Sequence, residues 1–134
     1  EARGKNGPRL LAVTVLTSLD GSEYPDVYRV GVEDRVLAFA AQAVASGVDG
    51  VVLSSRELSL LVPRVPAGFL RVIPGIRPAD ASLNDQARVA TPRAALESGA
   101  THLVIGRPIT RASDPVAAAR SILKEMEGAH VTGA

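Results

Sequence analysis

The sequence predicts an α/β protein whose parallel β-sheet is built from four consecutive strand–helix units. Short apolar runs rich in β-branched residues alternate with segments in which apolar residues recur at helical spacing. Each of the latter segments also has a helix boundary signal: Gly after its last turn, or Ser, Thr or Asp at its start. Strict alternation of the two element types implies right-handed crossovers between parallel strands.

The first two units occupy residues up to about 62. Residues 10–17 form a near-continuous apolar run, the pattern of a parallel strand buried on both faces. A helix is expected from Glu33, because apolar residues then recur at helical spacing and Gly47 suits the position after its last turn. Residues 48–53 are the second predicted strand, and residues 54–57 match a capping box that opens a short helix.

The last two units follow the same plan. A polar segment without a strong period, residues 79–90, separates them and is long enough to move over a bound ligand. The predicted elements are a third strand within residues 69–78, a helix capped by Thr91 with Pro92 at its first position and ended by Gly99, a fourth strand within residues 101–105, and a last helix from Asp114 and Pro115 to about Glu127.

The length of 134 residues corresponds to about one domain. We expect a single domain in which residues 1–9 are a connector, residues 10–127 form the four βα units and residues 128–134 are a tail. A complete (β/α)8 barrel needs about 250 residues, and four parallel strands alone would leave two apolar sheet edges open. The expected architecture is therefore half of a TIM barrel.

Composition excludes several classes of function. The net charge is +1, with 15 basic and 14 acidic residues interspersed, so there is no electrostatic footprint for nucleic acid or an anionic membrane. There are no cysteines, the two histidines are far apart, and neither a P-loop nor a G-x-G-x-x-G fingerprint occurs. No secretory signal or apolar run of about 20 residues is present, so a cytoplasmic location is the expectation.

Two consecutive strand ends carry the strongest functional signal. The third predicted strand runs into Gly75-Ile76-Arg77-Pro78, and the fourth runs into Gly106-Arg107-Pro108. The carboxyl ends of parallel strands meet at one edge of a sheet, and guanidinium and backbone N–H groups both suit a phosphate dianion. The sequence therefore predicts a local phosphate site.

Two further residues complete the candidate site. Thr17, with Ser18, closes the first strand, and Gln86 lies on the polar segment that follows the third. The alternatives are structural: a hydroxyl turn for Thr17 or Ser18, a solvated amide for Gln86, and surface ion pairs for the arginines.

Five ordered motifs resemble the bacterial orotidine 5′-phosphate decarboxylase family over residues 10 to about 127. Leu53 departs from the family pattern, since many members have cysteine there, but it touches nothing in the candidate site. The matching segments are residues 11–18 (LAVTVLTS), 47–54 (GVDGVVLS), 73–78 (IPGIRP), 85–92 (DQARVATP) and 104–110 (VIGRPIT).

The resemblance implies the C-terminal half, strands five to eight, of a TIM barrel that decarboxylates orotidine 5′-monophosphate to UMP in pyrimidine biosynthesis. The family works without metal or organic cofactor and usually as a homodimer. By the resemblance, Thr17 lies near the pyrimidine, and Arg77, Gln86, Gly106 and Arg107 surround the phosphate and the closing loop.

The resemblance also implies what this chain lacks. The family's alternating lysine and aspartate array lies on the second and third strands, with another aspartate on the first, and no Asp-x-Lys-x-x-Asp segment occurs here. The 134-residue chain alone is therefore expected to be inactive, with the N-terminal half of the same enzyme as its partner. Two alternatives stay open: a related phosphosugar lyase or synthase on the same barrel, and a non-catalytic phosphate-binding fragment.

Overall fold

The structure, a computed structural model, describes residues 7–16, 31–78 and 90–129, and these residues form a four-stranded parallel sheet. The strands are β1 (Leu11–Val13), β2 (Gly50–Val52), β3 (Leu70–Ile73) and β4 (His102–Leu103). Their order in the sheet is β1-β2-β3-β4, and every neighbouring pair is parallel. Each unit thus adds its strand beside the previous one, as in a barrel.

Helices cover the sheet on one side, and two of them start where the sequence predicts. The side chain of Thr91 accepts a hydrogen bond from the N–H of Ala94 at 3.2 Å, and Asp114 accepts one from Ala117 at 2.9 Å. No helix in the described residues is long and apolar enough to cross a lipid bilayer. The helices are α1 (Val32–Ala45), α2 (Leu58–Leu61), α3 (Pro92–Glu97), α4 (Arg107–Thr110) and α5 (Pro115–Glu127), with 3₁₀ turns at Ser55–Glu57 and Val62–Arg64 on either side of α2.

Two helices end in left-handed glycines, as predicted. Gly47 after α1 has φ of 70° and Gly99 after α3 has φ of 102°, a conformation that favours glycine. After α3, the N–H of Ala100 returns to the carbonyl of Ala95 at 2.9 Å, and an equivalent bond closes α1. After these helix ends, β2 begins three residues beyond Gly47 and β4 three residues beyond Gly99.

One face of the sheet packs on the helices and forms the core. The strand residues Val51 and Ile73 are fully buried there, and Ala12 of β1 packs against the same cluster. The residues contributed by α1 are Val36, Ala40 and Ala43.

The other face of the sheet is apolar but open. Val13 is 60% exposed, Leu11 is 41% exposed, and Val104 after β4 is 52% exposed. The prediction that the first strand is buried on both faces is therefore wrong for this chain. The inner face of a barrel is covered by side chains from the opposite strands, and four strands cannot curve round to supply them.

The division into a connector, four units and a tail stays a prediction. Residues 1–6 and 130–134 lie outside the described part of the chain. The same is true of residues 17–30 and 79–89, which include two of the five candidate site residues.

Replacing Gly50 with Ala is expected to destabilise the sheet. Gly50 is opposite Leu70 in the register, and a Cβ added at Gly50 would overlap the carbonyl and Cβ of Leu70. Because backbone atoms of β3 would have to move, we expect a loss of about 1–3 kcal/mol in the free energy of unfolding. Urea denaturation followed by circular dichroism measures it.

Gly31 offers the matched control for this substitution. A Cβ at Gly31 would come no closer than 4.0 Å to Asp34, and its φ of −54° suits any residue. Gly31→Ala should cost less than about 1 kcal/mol. Equal stability of the wild type and Gly50→Ala would contradict the close approach of β2 and β3.

Candidate functional site

The ends of β3 and β4 place two arginines at one edge of the sheet. Ile73 is opposite Leu103 in the register. Arg77 lies four residues after Ile73, and Arg107 lies four residues after Leu103. Since the strands are parallel, the two arginines lie in the segments that follow the carboxyl ends of neighbouring strands.

Arg77 is held firmly in this position. It is only 8% exposed, and its backbone N–H donates to the carbonyl of Ala90 at 3.0 Å. Ile76 forms a parallel bridge with the same Ala90. Ala90, the first described residue after segment 79–89, is therefore paired with the residues just before that segment.

Arg107 begins α4, a short helix that the sequence analysis missed. Gly106 is its N-cap, and the carbonyl of Gly106 accepts hydrogen bonds from Ile109 and Thr110 at 2.9 and 3.0 Å. Four residues are too few for a helical period, although Pro108 in the first turn was an available signal. A Cβ at Gly106 would meet nothing within 4 Å, so the space above this backbone is open.

Three of the five predicted site residues thus lie at one edge, namely Arg77, Gly106 and Arg107. Thr17 and Gln86 lie outside the described residues, as does Ser18. Their predicted contacts with the pyrimidine and the closing loop stay predictions.

The chemistry of this edge favours an anion. Two arginines follow neighbouring strands at this edge, and a guanidinium group can donate two parallel hydrogen bonds to a phosphate. Within the described ranges, no group of three His, Asp or Glu residues could hold a metal ion. With a net charge of only +1, the attraction for an anion has to be local to these arginines.

Glu57 is a further charged residue at this edge, and the sequence analysis did not predict that it is buried. It ends the 3₁₀ turn after β2 and is only 2% exposed. The capping-box motif assigned it a local role, in which Ser54 would cap its N–H. In the structure, the Ser54 hydroxyl accepts from the N–H of Arg56 at 3.3 Å, and the N–H of Glu57 donates to the Ser54 carbonyl.

Consecutive parallel βα units, with two arginines after the carboxyl ends of the last two strands, define a protein of the TIM-barrel class. A sequence profile described as the orotidine 5′-phosphate decarboxylase / HUMPS family matches residues 1–122. This chain belongs to that family.

Individual relatives support the same assignment. The orotidine 5′-phosphate decarboxylase of Rhodopseudomonas palustris is 51% identical over 126 residues, which are 93% of this chain and 54% of that protein. The enzyme of the same name from Halorhodospira halophila is 50% identical over 121 residues, 90% of this chain and 51% of that protein. The chain therefore spans about half the length of these relatives.

A solved structure confirms the architecture. The crystal structure of orotidine 5′-phosphate decarboxylase from Lactobacillus acidophilus matches with a TM-score of 0.74 and 40% identity, covering 93% of this chain and 53% of that one. The prediction of half a TIM barrel with four βα units and parallel strands is confirmed.

Proposed function

We propose that this chain is the phosphate- and pyrimidine-binding half of an orotidine 5′-phosphate decarboxylase, a carboxy-lyase that converts orotidine 5′-monophosphate into UMP in pyrimidine biosynthesis. The observation that carries the proposal is the pair of arginines at corresponding positions of β3 and β4, in a chain of this family. Arg77, Gly106 and Arg107 bind the 5′-phosphate, Gln86 closes over it, and Thr17 contacts the pyrimidine.

The phosphate lies far from the bond that breaks, so these residues act through binding energy. A guanidinium can donate two parallel hydrogen bonds to a phosphate, and the partly buried position of Arg77 strengthens such bonds by excluding water. Binding energy from a remote, non-reacting group can be used to distort and desolvate the reacting one. Holding the phosphate therefore fixes the pyrimidine against the catalytic groups.

Those catalytic groups belong to the other half of the barrel. Decarboxylation breaks the bond between the ring and its carboxylate and leaves a carbanion that must take up a proton. The lysines of this chain are Lys5, before β1, and Lys124, on the outer helix α5. In the sequence neither lysine follows a strand directly, so the proton donor has to come from the N-terminal half of the enzyme.

The open face of the sheet supports this partner. Leu11, Val13 and Val104 expose apolar side chains on the face that would line a barrel interior. A second set of four strands would bury them and pair the free edges of β1 and β4. The complete protein is proposed to work without a cofactor, as a cytoplasmic homodimer.

Arg107→Ala should weaken binding of the nucleotide and leave that of the nucleoside unchanged. Loss of a charge-assisted contact of about 1.5–3 kcal/mol corresponds to a UMP affinity about 10- to 150-fold lower. Isothermal titration of the complete enzyme with UMP and with uridine measures both. Arg120→Ala, which removes an exposed charge from α5, is the matched control and should change neither affinity.

Titration with a simple sugar phosphate, together with a turnover assay, tests the alternatives. A phosphosugar enzyme would bind a simple sugar phosphate as tightly as UMP, and a non-catalytic fragment would bind phosphate while the assembled protein gave no turnover. Equal losses of UMP and uridine affinity in Arg107→Ala would make this arginine structural and contradict the proposed phosphate site.

A further inference from the structure

We propose that Glu57 is a positioning residue for Arg77: its carboxylate holds the Arg77 guanidinium in the orientation that receives the phosphate. The inference rests on the proposed phosphate-binding function and extends it to a third strand, β2. Glu57 is the buried acidic residue at the edge where the described arginines lie.

The burial of Glu57 is imposed by its neighbours in the chain. Leu58 is fully buried and Leu61 is 1% exposed, so α2 is anchored in the core and draws the preceding 3₁₀ turn inward. The result is that the Glu57 side chain is 2% exposed while the adjacent Arg56 faces solvent. A carboxylate so deeply buried is stable only when positive charge or several hydrogen bonds compensate it.

The order of the strands makes Arg77 the candidate partner of Glu57. Val52 of β2 is opposite Val72 of β3; Glu57 follows Val52 by five residues, and Arg77 follows Val72 by five. Both residues therefore lie in the segments that follow hydrogen-bonded neighbouring strands at the same end of the sheet, one 2% and the other 8% exposed. Arg107 follows β4, which is two strands away from β2 in the sheet.

A carboxylate in this place has a definite effect on the phosphate site. Without ligand, like charges at one edge of the sheet favour orientations in which the two guanidinium groups turn apart. Attraction by Glu57 opposes that movement and keeps Arg77 preorganised. Preorganisation lowers the entropy lost on binding, so the nucleotide binds more tightly than it would to a mobile arginine.

Glu57→Gln separates this role from a purely local one. Glutamine keeps the shape of the side chain and can still serve in a capping box, but it removes the charge. In the complete enzyme we expect the KM for orotidine 5′-monophosphate to rise about tenfold with little change in kcat. Glu127→Gln, the same change on the exposed end of α5, is the control and should leave KM unchanged.

Two outcomes would overturn the inference. An unchanged KM would mean that Glu57 only shapes the turn after β2. A lowered KM would mean that its charge merely repels the phosphate, since removing a negative charge near an anion site otherwise strengthens binding. In either case, wild-type turnover and the effect of Arg107→Ala would still stand, so the proposed function is tested separately.

A double-mutant cycle tests the pairing itself. In an Arg77→Ala background, Glu57→Gln should have no further effect on KM, and a full additional loss would overturn the inference. If Glu57→Gln does not fold well enough for kinetics, urea denaturation of Glu57→Gln, Arg77→Gln and the double variant replaces it. If the two residues form a pair, the double variant should lose less free energy of unfolding than the two single variants lose together. Additive losses would contradict the pairing.

Discussion

Residues 1–134 alone are expected to give no detectable decarboxylation of orotidine 5′-monophosphate, and co-expression with the first four strands of a family member is expected to restore it. The reason is the division of groups between the halves. This chain offers Arg77, Gly106 and Arg107 at the strand ends, and among its described residues no lysine lies there. Enzymes accelerate their reactions by about a millionfold or more, so the two results are easily separated.

The N-terminal half of the Rhodopseudomonas palustris relative is a suitable complement, because that enzyme is 51% identical to this chain over the matched segment. Loss of ultraviolet absorbance by orotidine 5′-monophosphate would be followed with each half alone and with both together. Turnover by residues 1–134 alone would contradict the division of labour. A well-folded mixture without turnover would contradict the proposed activity.

Arg71→Leu should cost about 3–5 kcal/mol of the free energy of unfolding. Arg71 is 4% exposed on β3; its Nε donates to the Gly99 carbonyl at 2.5 Å and its guanidinium also donates to the Phe69 carbonyl at 3.1 Å. Burial lowers the pKa of Arg71 by desolvation, yet an arginine stays protonated at any ordinary pH. Leucine would leave two buried carbonyls without their charged donor. Thermal and urea denaturation measure the loss.

Arg64 provides the comparison for Arg71. Its guanidinium also donates to a backbone carbonyl, that of Leu60, but the side chain is exposed. Water can replace the lost bond there, so Arg64→Leu should cost less than about 1 kcal/mol. Similar losses at the two positions would mean that the Arg71 bonds do not join β3 to the end of α3 as inferred.

Many features of the fold could be predicted from local sequence signals. The caps Thr91 and Asp114 and the terminal glycines Gly47 and Gly99 were all predicted, since a cap depends on hydrogen bonds within one turn of the chain. The four strands were predicted too, although each is shorter than its apolar run. The chain is about half as long as a complete barrel, and this was enough to predict half a barrel. The solved structure of a relative confirms that prediction.

Part of the candidate site could also be predicted from local sequence. Arg77, Gly106 and Arg107 stand directly after strands, and parallel strands bring their carboxyl ends to one edge whatever the loops do. Thr17 and Gln86 stay predictions, because they lie in segments outside the described residues.

Tertiary structure alone decided which side chains are buried. Arg71 reads as an ordinary polar interruption in a strand, and Glu57 as a capping residue, yet both are almost fully enclosed. Val13 reads as core and is 60% exposed. Burial depends on which distant segments pack against a residue. Gly99, which accepts a hydrogen bond from Arg71, lies 28 residues away, and the residues that would cover Val13 lie in the other half of the barrel. Local sequence determines helix ends and strand ends, whereas only the assembled sheet determines which of its faces is covered.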